Sequence, residues 1–517
     1  MPSSGEGPKN IILISIDDLR FDCIGCEEDK RALDRYGVDV EVDTPCIDRF
    51  ASQGVRFSQA IAPASYTSAS HASLLTGLYP PSHGVRAFFY TKLNEQVRTL
   101  AQILKDCGYR TFSSCDFHNM FDLLEITRGI DCRVNQDNAK ILQILDQNRN
   151  DKMFLFMHFF DVHDPYGTSN YEIYPGYNHD VERDFEDLRL RSQIDAPSFL
   201  ALTKEAWRRG YRGEVVSQYI KGVNKFDRGR FSWFIQGLRN LNLLDNSLVV
   251  ITADHGEGDC GPTFSHGSDL SEEVIRVPLI FWCPERIPEG KVIDQQCSLV
   301  DVMPTILALA NIRDQECDGT SLLPAIEKGE SLSYPVYAER WANNITNEDM
   351  MSFMRECGES NTFCTPLFDV LLTHRSVRTP EYKLLVRGQP PSRQALADNE
   401  VLLKWTFQHV LNKHVDPEGF SYWLRRIDHE GINPEQLIET FVSFSEEKYQ
   451  LFDLLEDPTE ADNLLSDRRF LPNADRLMDV MHEIENRKSL CTQSHVKFDS
   501  DNEAALFEKQ LRDLGYL

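Results

Sequence analysis

Residues 10–16, N-I-I-L-I-S-I, form a short run of apolar and β-branched positions closed by Asp17 and Asp18. That is the pattern of a buried parallel strand delivering carboxylates at its C-terminal end, the end at which open α/β sheets collect their ligands. Similar runs recur at 152–160, rich in aromatics and Met, and at 247–252, which leads into Ala253-Asp254-His255-Gly256. Residues 100–107 and 217–241 carry helical patterns between them. Strands alternating with helices over roughly the first 300 residues predict an α/β fold, a mostly parallel central sheet sandwiched by helices.

The texture changes near Pro304. Residues 373–386 and 449–454 read as strands of a smaller antiparallel sheet and 471–487 as a helix. Between those strands, 394–447 is rich in helix formers, with turn signals at Asp416-Pro417-Glu418-Gly419 and Gly431-Ile432-Asn433-Pro434, and reads as a helical insertion in a hairpin. Residues 168–212, dense in Asp, Glu and Arg, read as a lid or loop near the ligand face. The expected organisation is a catalytic α/β core over 8–304, a C-terminal subdomain from 305–393 and 448–517, and the inserted domain at 394–447.

Composition narrows the function classes. The chain has 517 residues, 41% of them hydrophobic and 26% charged, and a net charge of −27. Such a surface repels phosphate backbones and anionic headgroups, which argues against a nucleic-acid-coating role. No apolar run approaches the ~18–20 residues of a membrane span, so no transmembrane segment is expected. The opening M-P-S-S-G-E-G-P-K-N lacks a basic n-region and reads as a mature cytoplasmic N-terminus. The 13 cysteines are scattered, and Cys23-x-x-Cys26 lacks a second pair, so reduced thiols are expected.

Asp17-Asp18 alone reads equally as a capped strand-to-helix turn, and Asp254-His255 alone is a weak signal. Together they form an oxygen and nitrogen set suited to a divalent cation, provided that their strands are neighbours. A third segment, Y-T-S-A-S-H-A-S-L-L-T-G from Tyr66 to Gly77, places small hydroxyl residues at the start of an apolar run. It reads as a helix N-terminus able to receive an anion, or as an ordinary Ser/Thr cap.

The stretch S-A-S-H-A-S-L-L-T-G-L-Y-P-P-S-H-G-V resembles the sulfatase signature C/S-x-P-S-R-x-x-x-L-T-G with its Y-P-x-x-H-G-type turn. I-S-I-D-D-L-R-F-D-C-I-G-C, T-P-C-I-D-R-F-A-S-Q-G-V-R-F, H-F-F-D-V-H-D-P-Y, I-T-A-D-H-G-E, S-E-E-V-I-R-V-P-L-I and Y-Q-L-F-D-L-L-E-D-P-T-E-A-D-N-L agree with the family in the same order. The chain is thereby identified as a member of the sulfatase-like branch of the alkaline phosphatase superfamily. The resemblance implies that Asp17, Asp18, Thr67, Asp254 and His255 are metal ligands, and that His163 and His266 contact the substrate's anionic group or leaving oxygen. The Asp-His pair favours Zn²⁺ or Mn²⁺, with Ca²⁺ or Mg²⁺ as alternatives.

Three departures redirect the chemistry. Thr67 stands where sulfatases carry the Cys or Ser matured to formylglycine, Ala69 where they carry Pro, and His71 where they carry the Arg that assists that residue. Thr does not mature to the aldehyde hydrate, and superfamily members with Thr there are commonly phosphodiesterases, phosphatases or phosphoethanolamine-type transferases. The implied function is a metal-dependent hydrolase of phosphate mono- or diesters with Thr67 as nucleophile and His71 beside it. Alternatives are a phosphoryl transferase of surface-glycan assembly, a sulfate-ester hydrolase, and a degenerate binding protein. The expected substrate is an anionic ester, glycan-linked in some of these readings, and self-association is left open. Asp161 lacks the D-x-x-x-H spacing of a second-metal ligand in two-metal relatives. The insertion, with H-V-D-P-E-G-F-S-Y-W, is similar to a small helical domain of the D-P-x-G-x-x-Y-W type from surface-polysaccharide-related proteins. That implies either a docking module or a stabilising helical insert built on Trp405, Trp423 and Phe441.

Overall fold

Asn10–Ile16 forms the strand that its apolar run predicts, and all seven of its residues are buried. The computed structural model describes residues 7–86, 91–115, 118–135, 137–164, 166, 206–207, 210–260, 264–267, 269–284, 286–313, 316–341, 373–387, 421–426, 449–486 and 494–495. These fall into two compact units: Met1–His266 with Ser271–Ala338 and His482–Val496, and Gly267–Leu270 with Glu339–Met481 and Lys497–Leu517.

The first unit is built on an eight-stranded sheet. In chain order its strands are β1 (Asn10–Ile16), β2 (Val55–Ile61), β3 (Arg110–Cys115), β4 (Cys132–Asn135), β5 (Met153–Phe159), β6 (Ser247–Ala253), β7 (Arg276–Trp282) and β8 (Lys291–Ser298). Their spatial order is β8-β2-β7-β6-β1-β5-β3-β4. β1 pairs in parallel with β5 and with β6, so that Ile16 lies opposite both Phe159 and Ala253. β7 is antiparallel to both β6 and β2, which leaves β2 running in the same direction as β1. Every residue of β1, β5 and β6 is buried. Because side chains alternate between the two faces of a strand, both faces are covered. Helices flank the sheet: α1 (Pro45–Ser52), α2 (Thr67–Thr76), α3 (Leu100–Asp106), α4 (Asn138–Gln147), α5 (Arg212–Phe226), α6 (Ser232–Asn240) and α7 (Val302–Leu309).

Ile14 sits in the middle of this central strand with 0% of its surface exposed. Truncation to Ala removes buried methylenes where packed neighbours on both sides restrict collapse, so Ile14→Ala is expected to cost about 2–5 kcal/mol. The check is a urea titration followed by far-UV circular dichroism, with the variant's midpoint lying clearly below wild type.

The helical pattern read over 217–241 is interrupted. α5 and α6 are separated by a π-turn, Asp227–Phe231. Within it the Asp227 carboxylate accepts hydrogen bonds from the N–H groups of Cys46 and Ile47, both at 2.9 Å. Those belong to the first turn of α1, where Thr44 supplies no side-chain cap. A helix start otherwise lacking acceptors is thus capped from a distant element, which periodicity alone does not reveal.

The second unit holds the smaller sheet. Its strands are β9 (Val336–Trp341), which crosses the boundary between the units, β10 (Thr373–Arg378), β11 (Tyr382–Arg387) and β12 (Tyr449–Asp453), in that spatial order. β10–β11 and β11–β12 are antiparallel, as expected, and 373–386 holds two strands, β10 and most of β11. The insertion expected at 394–447 falls between β11 and β12 and lies outside the described residues except for 421–426, which are helical. The expected lid at 168–212 is likewise outside them except for 206–207 and 210–212. Among the described residues no helix is long and apolar enough to cross a membrane, and ten cysteines are not paired with one another in disulfides.

Candidate active site

The pairing of β1 with β6 places Asp17-Asp18 and Asp254-His255 one residue beyond two strand ends that are in register. β2 runs the same way, and six residues after its end the chain enters α2, whose first residue is Thr67. The neighbour relation on which a shared site depends is therefore present. Asp18 has a φ of +60°, a left-handed conformation that Asp tolerates better than most side chains. The Tyr219 hydroxyl donates to the Asp18 carbonyl at 2.6 Å and accepts from the Arg20 N–H at 3.0 Å, holding that turn. Arg20 in turn makes a bidentate pair with Asp22 at 2.8 and 2.7 Å and donates to the Glu257 carbonyl at 2.8 Å. The two strand ends are thereby tied together by buried charge-assisted bonds.

Asp17, Asp18, Asp254 and His255 are fully buried, and Thr67 is 2% exposed. His255 Nε2 lies 3.3 Å from Thr67 Oγ1, 3.3 Å from Asp254 Oδ2 and 3.7 Å from Asp17 Oδ1. Around Asp18 stand His255 Nδ1 at 2.9 Å, His266 Nδ1 at 3.0 Å and His163 Nε2 at 3.7 Å. His163 stacks on Phe160, and His266 stacks on His255. Despite these approaches, none of the six carboxylate oxygens of Asp17, Asp18 and Asp254 receives a hydrogen bond of acceptable geometry.

Charge follows the crowding. Burial, then the neighbouring Asp18, pushes Asp17 up to about 6, and burial with Asp17 raises Asp254. Burial would also raise Asp18, but His266, His163 and His255 hold it well below the usual carboxylate range. Burial opposes protonation of His255, yet Asp254 and Asp18 carry it up to about 9. Three carboxylates in one dry pocket thus draw protons onto nearby imidazoles, the response expected where positive charge is wanting.

The donor chemistry fits a divalent cation. A tetrahedral site with bonds of ~2.0–2.1 Å spaces its ligand atoms about 3.3 Å apart. Separations of 3.3 and 3.7 Å around His255 Nε2 are too long for strong hydrogen bonds and near that spacing. Asp17, Asp254 and His255 offer ligand atoms that converge, and Asp18, His255 and His266 do so as well. The oxygens that no donor satisfies are those that such an ion would take up.

His71 occupies a different position from the other sequence candidates. Its Nδ1 lies 2.8 Å from the Thr67 carbonyl and its Nε2 2.9 Å from Ser15 Oγ, and its ring packs edge-on to Phe121, Phe156 and His158. Asp161 pairs with buried Arg230 at 2.7 Å. Two site residues escaped the sequence reading. His158 is the sixth residue of β5, directly opposite Ser15, with Nε2 3.4 Å from Asp17 Oδ2. Its signal was a histidine near the C-terminal end of an otherwise apolar run. Glu257 closes the D-H-G-E motif, where burial and then Asp18 push it up to about 7, and it faces His266 Nδ1 at 3.3 Å.

Comparison with known proteins gives the chain's family. The Sulfatase family model matches residues 9–312. Human N-sulphoglucosamine sulphohydrolase is 25% identical over 518 aligned residues, covering 92% of this chain and 89% of that one. N-acetylgalactosamine-6-sulfatase of the dog, Canis lupus familiaris, is 24% identical over 386 residues, 64% of this chain and 69% of the relative. The solved structure of the phosphonate monoester hydrolase of Agrobacterium radiobacter superimposes with a TM-score of 0.60 at 17% identity, covering 93% of this chain and 96% of that one. With its parallel sheet, its strand-end carboxylates and the helix that begins at Thr67, the chain belongs to the sulfatase family of ester hydrolases.

Proposed function

We propose that this protein is a metal-dependent hydrolase of phosphate mono- or diesters in which Thr67 is the nucleophile. The observation that carries the reading is the position of Thr67: a buried hydroxyl on the first residue of α2, 3.3 Å from His255 Nε2, beside carboxylate oxygens that no donor satisfies. Asp17, Asp254 and His255, with Asp18 next to them, are the residues that would hold the ion. A divalent ion there supplies the positive charge that makes the Thr67 alkoxide accessible near neutral pH and offsets charge developing on the phosphoryl oxygens.

Thr67 Oγ loses its proton and bonds to phosphorus as the bond from phosphorus to the leaving ester oxygen breaks. Water then attacks phosphorus, the bond from Oγ to phosphorus breaks, the proton returns to Oγ, and phosphate or its monoester departs. His266 Nδ1 is hydrogen-bonded to Glu257 at 3.3 Å and faces Asp18 at 3.0 Å, which leaves Nε2 to protonate the leaving oxygen. His163 Nε2 lies 3.7 Å from Asp18 Oδ2 and would contact the anionic group of the substrate. His71 touches Thr67 through the backbone carbonyl, so its part in this reaction is positioning. Sugar-sulfate names among the relatives support a glycan-linked ester, and 13 scattered cysteines support a reducing compartment such as the cytoplasm.

The test is a parallel assay of the metal-loaded protein on aryl phosphate monoesters, diesters, phosphonates and sulfates. Phosphorus esters are expected to turn over fastest. A sulfate ester as the best substrate overturns the reading, and a metal-loaded protein inert on all four classes favours the binding-protein alternative. Recovery of the phosphoryl group on an added alcohol in preference to water identifies a transferase.

A further inference from the structure

His71, His158 and Asp254 form a second convergent set, which shares Asp254 with the one around His255 and adds two imidazoles that the reaction above does not use as ligands. All three are fully buried. Both ring nitrogens of His158 lack a hydrogen-bond partner, as do both carboxylate oxygens of Asp254 and of Asp17. His71 Nδ1 lies 3.5 Å from Asp254 Oδ2, and His158 Nε2 lies 3.4 Å from Asp17 Oδ2.

Hydrogen bonding engages His71, whose Nδ1 donates to the Thr67 carbonyl at 2.8 Å, but it does not explain the placing of His158 against Asp17 or of Asp254 against His71. Contacts of 3.4–3.5 Å exceed the usual N–H···O range yet match the ligand-to-ligand spacing of a tetrahedral site with ~2.0–2.1 Å bonds. Aromatic packing does not explain it either. The ring of His158 meets His71 at 4.8 Å and Phe121 at 5.3 Å, both edge-on, an environment that phenylalanine would fill without burying two unsatisfied nitrogens.

We propose that His71, His158 and Asp254 hold a second divalent transition-metal ion, with Asp17 alongside as a further oxygen donor. Two imidazoles and a carboxylate select a zinc-like ion over Mg²⁺ or Ca²⁺. Ligation requires both imidazoles to be neutral. On binding, His71 Nδ1 gives up its proton and the ring carries it at Nε2, donating to Ser15 Oγ at 2.9 Å. That is the outer hydrogen bond that fixes a metal-bound imidazole. The Thr67 carbonyl keeps its regular helical donor, the backbone N–H of His71 four residues on. The ion would lie next to the nucleophile's own turn of helix, tying the ordering of α2 to metal loading.

The inference rests on the proposal that Asp17, Asp254 and His255 hold an ion, because the two sites share Asp254. The test counts zinc. Full-length protein is stripped with chelator, reloaded with excess Zn²⁺, desalted and analysed by mass spectrometry for metal per chain. Two equivalents are expected in wild type, and one in His158→Phe and in His71→Phe. Titration of wild type with Co²⁺ is expected to show visible absorption developing over two equivalents, which keeps the test valid should either variant fail to fold. One zinc in wild type overturns the second site and leaves the first standing, whereas none overturns both. Two zincs retained in folded His158→Phe overturn the assignment to His158.

Discussion

Replacing Thr67 with alanine is expected to leave a folded, metal-loading protein whose turnover of an aryl phosphate ester is at least ~10³-fold lower, about 4 kcal/mol of transition-state stabilisation. The side chain is 2% exposed and sits on the first residue of α2, where alanine is well tolerated, so folding loses little. What alanine removes is the oxygen facing His255 Nε2 at 3.3 Å. Thr67→Ser restores a hydroxyl on the same carbon and is expected to recover a large part of the rate. Acid quench of wild type during turnover should yield a tryptic peptide spanning Thr67 that is heavier by one phosphoryl group, a species absent from the alanine variant. A Thr67→Ala rate near wild type removes this residue from the mechanism, and a missing phosphopeptide with normal turnover transfers the attack to water.

The strands that build this site were legible because buried parallel strands are written as continuous apolar runs. Asn10–Ile16 came out with its exact bounds, and 247–252 was one residue short of Ser247–Ala253. The carboxylates at their ends were legible for the same reason: an acidic pair directly after such a run has no place in a dry core unless something meets it there. That the two ends meet at all was a condition on topology, and the parallel pairing of β1 with β6 meets it.

What stayed hidden depends on contacts across sequence separation. His158 reads as one polar letter in an aromatic strand until its partner across the ladder, Ser15, is known. His71 reads as the stand-in for a catalytic arginine until the fold shows both of its nitrogens engaged, one by a carbonyl on its own helix and one by a strand residue 56 positions away. The π-turn after α5 belongs with these, since the Asp227 carboxylate it presents serves a helix some 180 residues earlier. Helical periodicity records one face of one element and carries no information about such closures.

Asp254→Asn is expected to reverse its effect on stability with metal. In the metal-free protein Asp17, Asp18 and Asp254 confine three carboxylates in a fully buried pocket where none of their oxygens receives a hydrogen bond of acceptable geometry. Removing one of them relieves repulsion and desolvation, so the metal-free variant should melt at or above metal-free wild type. Zinc changes the comparison. A ligand that binds only the native state stabilises it by about 2.7 kcal/mol at 100 times Kd and about 4.1 kcal/mol at 1,000 times Kd. For a protein of this size that corresponds to a rise of several degrees in Tm. Wild type should show that rise and the variant little of it, because the lost oxygen faces both His255 Nε2 at 3.3 Å and His71 Nδ1 at 3.5 Å. Thermal melts of both proteins in chelator and in zinc give the four numbers required. Wild type above the variant in zinc and level with or below it in chelator is the signature of carboxylates assembled for an ion at the expense of the empty fold. Equal zinc shifts in the two proteins exclude Asp254 as a ligand.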